Sequence, residues 1–250
     1  MSWLTPRWLK SGPGIVRDAP PKQGFALLAD VVRRNWWELI QLNLLVIVFS
    51  LPLVTLPAAL VAAARICVLM LEDRPIYLGR DFVEAFRDRF VKATLLGATA
   101  GATVALSGFA ALSFFSAART NPLFALPLTI SASTGLFACL ASAYGLTLLA
   151  MRDQPLALLF RRALLGALLR PLPALAALAV VATLWVLHIL FYPASIFMPA
   201  IVNFSFGMLA VSFGVHQAAV RLLASEGAME GTAHRGGSAQ SARNKGKEPS

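Results

Sequence analysis

Carboxylates are scarce in this 250-residue chain, with twelve against 22 lysines and arginines. None lies deep in an apolar segment, which argues against a carboxylate proton relay of the kind found in pumps. Cysteine is scarcer still: Cys67 and Cys139 are the only two. Both fall in apolar stretches, where a thiol acts as a small hydrophobe, and nothing resembles a disulfide framework or a zinc spacing. His188 and His216 sit near opposite ends of their apolar segments and His234 lies in the polar tail. A shared metal is not expected, nor is any other cofactor. The chain has no Gly-rich phosphate loop ending in Lys-Ser or Lys-Thr, no His-Glu-x-x-His and no Gly-x-Ser-x-Gly elbow. A catalytic role is therefore not expected. Nor is a secretory signal, because Met1 to Lys10 has no short apolar core followed by a small-residue cleavage site.

Apolar residues, by contrast, are abundant. They make up 58% of the chain, above the roughly 45–50% that fills a soluble core. Hydropathy and its breaks predict six spans: Trp36–Leu51, Thr55–Leu71, Val91–Ser116, Pro122–Met151, Pro171–Phe191 and Pro199–Val220. The first two are short and form a tight hairpin, tilted or incompletely spanning. The expected fold is all-α, a polytopic membrane helix bundle. It divides into a flexible segment 1–23, a helix-bundle domain 24–224 and a disordered basic tail 225–250, whose Gly/Ser/Ala-rich composition buries no core.

Charge sets the threading. With six crossings, twenty lysines and arginines fall on one side; Arg119 alone falls on the other and Arg65 is left inside a span. That asymmetry predicts cytoplasmic termini in a bacterial inner membrane. The net charge of +10 would suggest nucleic acid in a soluble protein. Here loop charges account for it, and no nucleic-acid partner is expected.

Two loops on the basic side look like more than connections. "GRDFVEAFRDRF" puts Phe82, Val83, Phe86 and Phe90 on one helical face and Arg87 elsewhere, as in an interfacial amphipathic helix. "PLALLFRRALLGALLRP" is more apolar, with Arg161 and Arg162 as its polar spot; it lies on the membrane or docks against the bundle. Together these residues form a candidate interface for lipid or a partner protein. Asp-x-Pro begins both loops, at Asp73 and Asp153, which is consistent with a parallel internal repeat or with ordinary helix-end chemistry.

Three spans carry small residues at intervals of three or four: Gly97, Gly101, Ala105 and Gly108; Ser131, Gly135 and Cys139; and Gly207, Ala210 and Gly214. Small residues let helix backbones approach in lipid. The simplest reading is packing within one chain; the alternative is a homodimer through Gly97 and Gly101.

Arg65 is the intramembrane cation that needs a reason. It lies six residues before Leu71, about 9 Å below the end of its helix. Asn43 lies at similar depth on the preceding span, and Tyr144 reaches the same level. The expectation is that Arg65 pairs with Asn43 and faces the bundle, as a candidate polar site with Tyr144. Snorkelling to the interface or stapling of the hairpin is the structural alternative.

The stretch from Asn43 to Lys92 resembles the YesL-like family of bacterial membrane proteins. The matching residues are Asn43-Leu44-Leu45, Ser50-Leu51-Pro52-Leu53-Val54-Thr55, a small-residue helix through Ala58 and Ala64, Arg80-Asp81-Phe82, and Phe86, Phe90, Lys92 and Ala93. The resemblance implies a membrane protein linked to carbohydrate uptake, without a known activity and without catalytic or ligand residues to carry over. The expected function is thus a non-enzymatic accessory or regulatory partner, with the lipid bilayer and carbohydrate transporter subunits as its partners. The alternative is a small-solute permease whose path runs past Asn43, Arg65 and Tyr144.

Overall fold

The computed structural model describes the backbone of residues 24–245, with side chains through residue 224. The segment 1–23, with Trp3 and Trp8, lies outside the described residues, as does the His234 side chain. In chain order the helices are α1 (Phe25–Arg34), α2 (Trp36–Ser50), α3 (Leu56–Leu71), α4 (Leu78–Ala118), α5 (Ala125–Met151), α6 (Leu156–Leu169), α7 (Pro171–Leu190) and α8 (Phe204–Lys245). Short 3₁₀ turns precede α3 and α5, and a π-turn over Pro199–Asn203 precedes α8. No strand occurs among the described residues. Five helices are long and apolar enough to cross a membrane, and Trp36–Ser50 is a shorter apolar helix.

α3 is the core of the bundle. Every residue from Ala58 to Met70 is buried except Leu60 and Arg65. Its run of alanines and valines leaves little side chain in the way, so α2, α4, α5 and α8 all pack on it. The helix ends in a Schellman turn. Asp73 takes a left-handed φ of 53°, the Arg74 N–H donates to Leu69 O at 3.0 Å and the Asp73 N–H to Met70 O at 3.4 Å. At the other end the Thr55 hydroxyl donates to the carbonyls of Phe49 and Pro52, which satisfies acceptors in the bend between α2 and α3.

The expected interfacial helix around Phe82–Phe90 is not a separate element. It forms the first turns of α4, 41 residues long and so about 60 Å, twice the hydrocarbon thickness of about 30 Å. Nothing between Arg80 and Lys92 breaks a helix: the stretch has neither proline nor glycine. Its aromatic face is also not the free interface expected. Phe82 is fully buried, and Phe49 stacks edge-on against Phe82 (5.3 Å) and Phe86 (5.0 Å). Phe86 in turn meets Phe90 at 5.6 Å. Aromatic packing of this geometry contributes beyond area burial, and it turns Phe82 and Phe86 onto α2, while Phe86 and Phe90 stay half-buried.

The second loop does give a separate helix, because Pro171 breaks it from α7. The residue before a proline is pushed out of helical geometry, and Arg170 has φ −139° and ψ 64°. α6 docks on the bundle through Leu159, Arg162, Ala163, Gly166 and Ala167.

The small-residue faces serve contacts within the chain. A Cβ on Gly97 would lie 2.3 Å from the Pro57 ring, on Gly135 2.8 Å from Ser107 Oγ, and on Gly214 2.7 Å from the Pro173 carbonyl oxygen. Gly101 faces open space, so one of the two glycines expected at a homodimer seam is taken up internally. Beyond Ala224 the backbone is helical as far as Lys245.

Ion pairs join the charged loops at one end of the bundle. Arg34 meets Asp73 at 2.7 Å, Lys92 meets Asp153 at 2.6 Å, and His216 lies 3.3 Å from Glu72. At the other end the Arg119 guanidinium lies 4.8 Å from the Phe115 ring centroid, and the Ser195 hydroxyl bonds the His188 carbonyl at 2.7 Å. The two intramembrane histidines thus keep to opposite ends.

Candidate functional site

Asn43, Arg65 and Tyr144 do not meet; each is tied to a different piece of backbone. Asn43 shares the buried face of α2 with Leu39, Leu42 and Val46, a stripe of helical period. That face is turned to the π-turn that opens α8. The Asn43 amide nitrogen donates to Pro199 O (2.9 Å) and Ala200 O (2.6 Å), and its oxygen accepts from the N–H groups of Phe204 (2.9 Å) and Ser205 (3.0 Å). The regular helical ladder is interrupted at a π-turn, and in lipid no water replaces the missing partners. A carboxamide offers both donors and acceptor capacity, so this one side chain bridges the break. The signal was Pro199, which marks a turn without a regular ladder, whereas the sequence reading paired Asn43 with Arg65.

Asn203, in the same turn, is 1% exposed, and neither its amide nitrogen nor its oxygen has a hydrogen-bond partner among the described residues. An unmet buried polar group costs about 1–3 kcal/mol. Asn203→Leu is accordingly expected to raise the thermal midpoint in detergent; a fall would show that the amide is in use.

Arg65 is not paired with Asn43. Its Nη1 reaches to 3.5 Å from Ala150 O, at the outer limit of a hydrogen bond, while Arg89 Nη1 donates to the same oxygen at 2.9 Å. Ala150 lies in the last turn of α5, where carbonyls lack intrahelical partners and the helix dipole is negative. Both cations therefore serve the α5 C-terminus. α3 presents Arg65 toward α4 and α5, whereas Asn43 is engaged by α8. Sequence reasoning missed Arg89, although it is the last arginine before the apolar run of α4.

Tyr144 is fully buried, and its hydroxyl donates to Arg170 O at 2.7 Å. Its ring lies against Gly166, where a Cβ would come within 2.7 Å of it. Tyr144 thus fastens the end of α6 to α5. Tyr144→Phe removes only the hydroxyl and should cost about 1 kcal/mol, read as a small drop in thermal midpoint with an unchanged elution profile.

Of the candidate interface residues, Arg87 and Arg161 are exposed, but Arg162 is 5% exposed and donates to Gln154 Oε1. Its position on the inner face of α6 corrects the reading of Arg161 and Arg162 as one polar spot. Gln154, two residues before α6, was not foreseen. The outward face of α6 carries Leu164, Leu165, Leu168 and Leu169 beside Arg161.

No group of three or more His, Cys, Asp or Glu side chains that could hold a metal ion occurs among the described residues. The pieces described here (the Asn43 clamp, the buried α3, Arg65 and Arg89) all fall in one stretch of chain. Residues 39–110 match a family model described as "Protein of unknown function, DUF624". The match begins on α2 and ends within α4, well under half of the 250 residues. It takes in Asn43, Arg65 and Arg89 and leaves out their partners on α5 and α8. No curated protein matches the chain, and no solved structure does.

Proposed function

We propose that this chain is a non-enzymatic protein of the YesL-like family that crosses the bacterial inner membrane six times, with both termini in the cytoplasm, and acts as an accessory or regulatory partner of a carbohydrate uptake system. The observation that carries this over a permease is the use of Asn43. All four of its hydrogen bonds go to backbone groups of the α8 turn, and Tyr144 is likewise engaged on Arg170 O. Side chains that close gaps in helices hold a bundle shut and leave little to bind a moving solute. Among the groups turned outward at the basic end are the leucine face of α6 with Arg161, and Arg87 on α4. Such a surface suits contact with lipid and with a second membrane protein. The link to carbohydrate comes from the resemblance at Asn43–Lys92.

Crosslinking in native membranes, followed by purification of the full chain in mild detergent, tests the reading. A transporter subunit recovered in stoichiometric amount is the expected result. Solute uptake by the purified chain alone in liposomes would overturn it in favour of a permease.

A further inference from the structure

We propose that the recess at the corner between α3 and α4 is a binding site for a phosphoryl group, held by Arg65 and Arg89 with Arg74 at its edge. The recess is a cavity of about 370 Å³, at the lower end of the range for small-molecule sites. Arg65 and Arg89 are partly buried and line it, while Arg74 and Arg80 are exposed at its margin.

Its carboxylates are committed or peripheral. Asp81 accepts the Tyr77 backbone N–H at 2.9 Å, so the N-terminus of α4 is already capped. Glu84 lies 3.9 Å from Arg80 and its side chain is 61% exposed. Asp88 is exposed. Neither Arg65 nor Arg89 has a carboxylate within ion-pair distance among the described residues, and the protein contact of each guanidinium is the one oxygen of Ala150.

Two like charges therefore share one carbonyl, and Asp153, Asp88 and Glu84 attract Arg89 only from beyond ion-pair distance. A helix C-terminus supplies about half an elementary charge, less than two guanidinium ions require. Each guanidinium also carries a fork of N–H donors, of which one nitrogen is used. A phosphoryl group answers both deficits. Its negative charge offsets the repulsion, and its oxygens match the forks in bidentate fashion. The placement of Arg65 fits the same picture, since a charge kept within an otherwise buried apolar helix is expensive. The phosphoryl group comes either from the head of an acidic phospholipid or from a soluble phosphate ester. This site does not depend on the accessory-partner reading.

The test uses the full chain, delipidated in neutral detergent. One arm titrates it with inorganic phosphate and glycerol 3-phosphate by calorimetry. The other reconstitutes it with phosphatidylcholine and phosphatidylglycerol and measures the lipid retained by native mass spectrometry. Saturable binding in the first arm identifies a soluble ester. Selective retention of phosphatidylglycerol with no response in the first arm identifies a headgroup. Arg65→Gln or Arg89→Gln should weaken the positive arm by about tenfold or more, as expected when a charged hydrogen-bond partner is lost. Arg74→Gln gives up one exposed ion pair, to Glu72 at 3.6 Å, leaves the fold intact, and should weaken binding by a smaller but measurable factor. It decides the matter if the other two variants do not purify. No binding in either arm, or binding unchanged in every variant that purifies, overturns the proposal.

Discussion

Asn43→Leu is expected to lower the unfolding free energy by about 2–4 kcal/mol. Four backbone groups lose a hydrogen bond at once: the carbonyls of Pro199 and Ala200 and the N–H groups of Phe204 and Ser205. An interhelical hydrogen bond in membrane proteins averages about 0.6 kcal/mol, but a buried group left unmet costs about 1–3 kcal/mol, and the estimate lies between those limits for a set of this size. Reversible unfolding in mixed detergent micelles measures it. Leu44→Ala is the matched control, because Leu44 is 50% exposed and should change stability little. Equal behaviour of the two variants would mean that the π-turn does not need Asn43.

Gly97→Val should be at least as damaging. The Cβ alone would lie 2.3 Å from Pro57 Cγ and 2.4 Å from Pro57 Cβ. A proline ring at the start of α3 cannot rotate away, so α3 and α4 must separate. Overpacking of this kind costs about 1–3 kcal/mol or more, and it falls on the helix at the centre of the core. Gly101→Val, one turn along the same face, meets open space and should leave both stability and oligomeric state unchanged. A homodimer seam through both glycines would give a different pattern, with Gly101→Val shifting the oligomeric state measured by light scattering.

The contrast between these glycines shows what was legible in the sequence. Spacing marked Gly97 and Gly101 as equivalent, because both lie on the same helical face. Only the crossing of α3 over α4 at Pro57 separates them, and a crossing point is a tertiary fact. The helices themselves were readable, since apolar run length and proline breaks depend on local chemistry; α3, α5 and α7 fall where those signals place them. The continuity of α4 was readable too, from the absence of a breaker between Arg80 and Lys92, although the change in polarity there suggested two elements. Partners were the least legible. Depth counting put Asn43 and Arg65 at one level and so suggested a pair, but depth does not fix azimuth. Asn43 faces α8 and Arg65 faces α5, on different sides of the hairpin. The orphan carbonyl of Ala150 has no sequence signature beyond lying in a helix end.

Six crossings require that the bilayer sorts the charged loops to a single aqueous side. Impermeant maleimide labelling of sealed cells tests this most directly, using Arg87→Cys, Arg161→Cys and Thr120→Cys in a chain whose Cys67 and Cys139 are replaced by alanine. With both termini in the cytoplasm, the Thr120→Cys protein is labelled in intact cells, and the other two only after permeabilisation. Labelling of Arg87→Cys or Arg161→Cys in intact cells would contradict that topology.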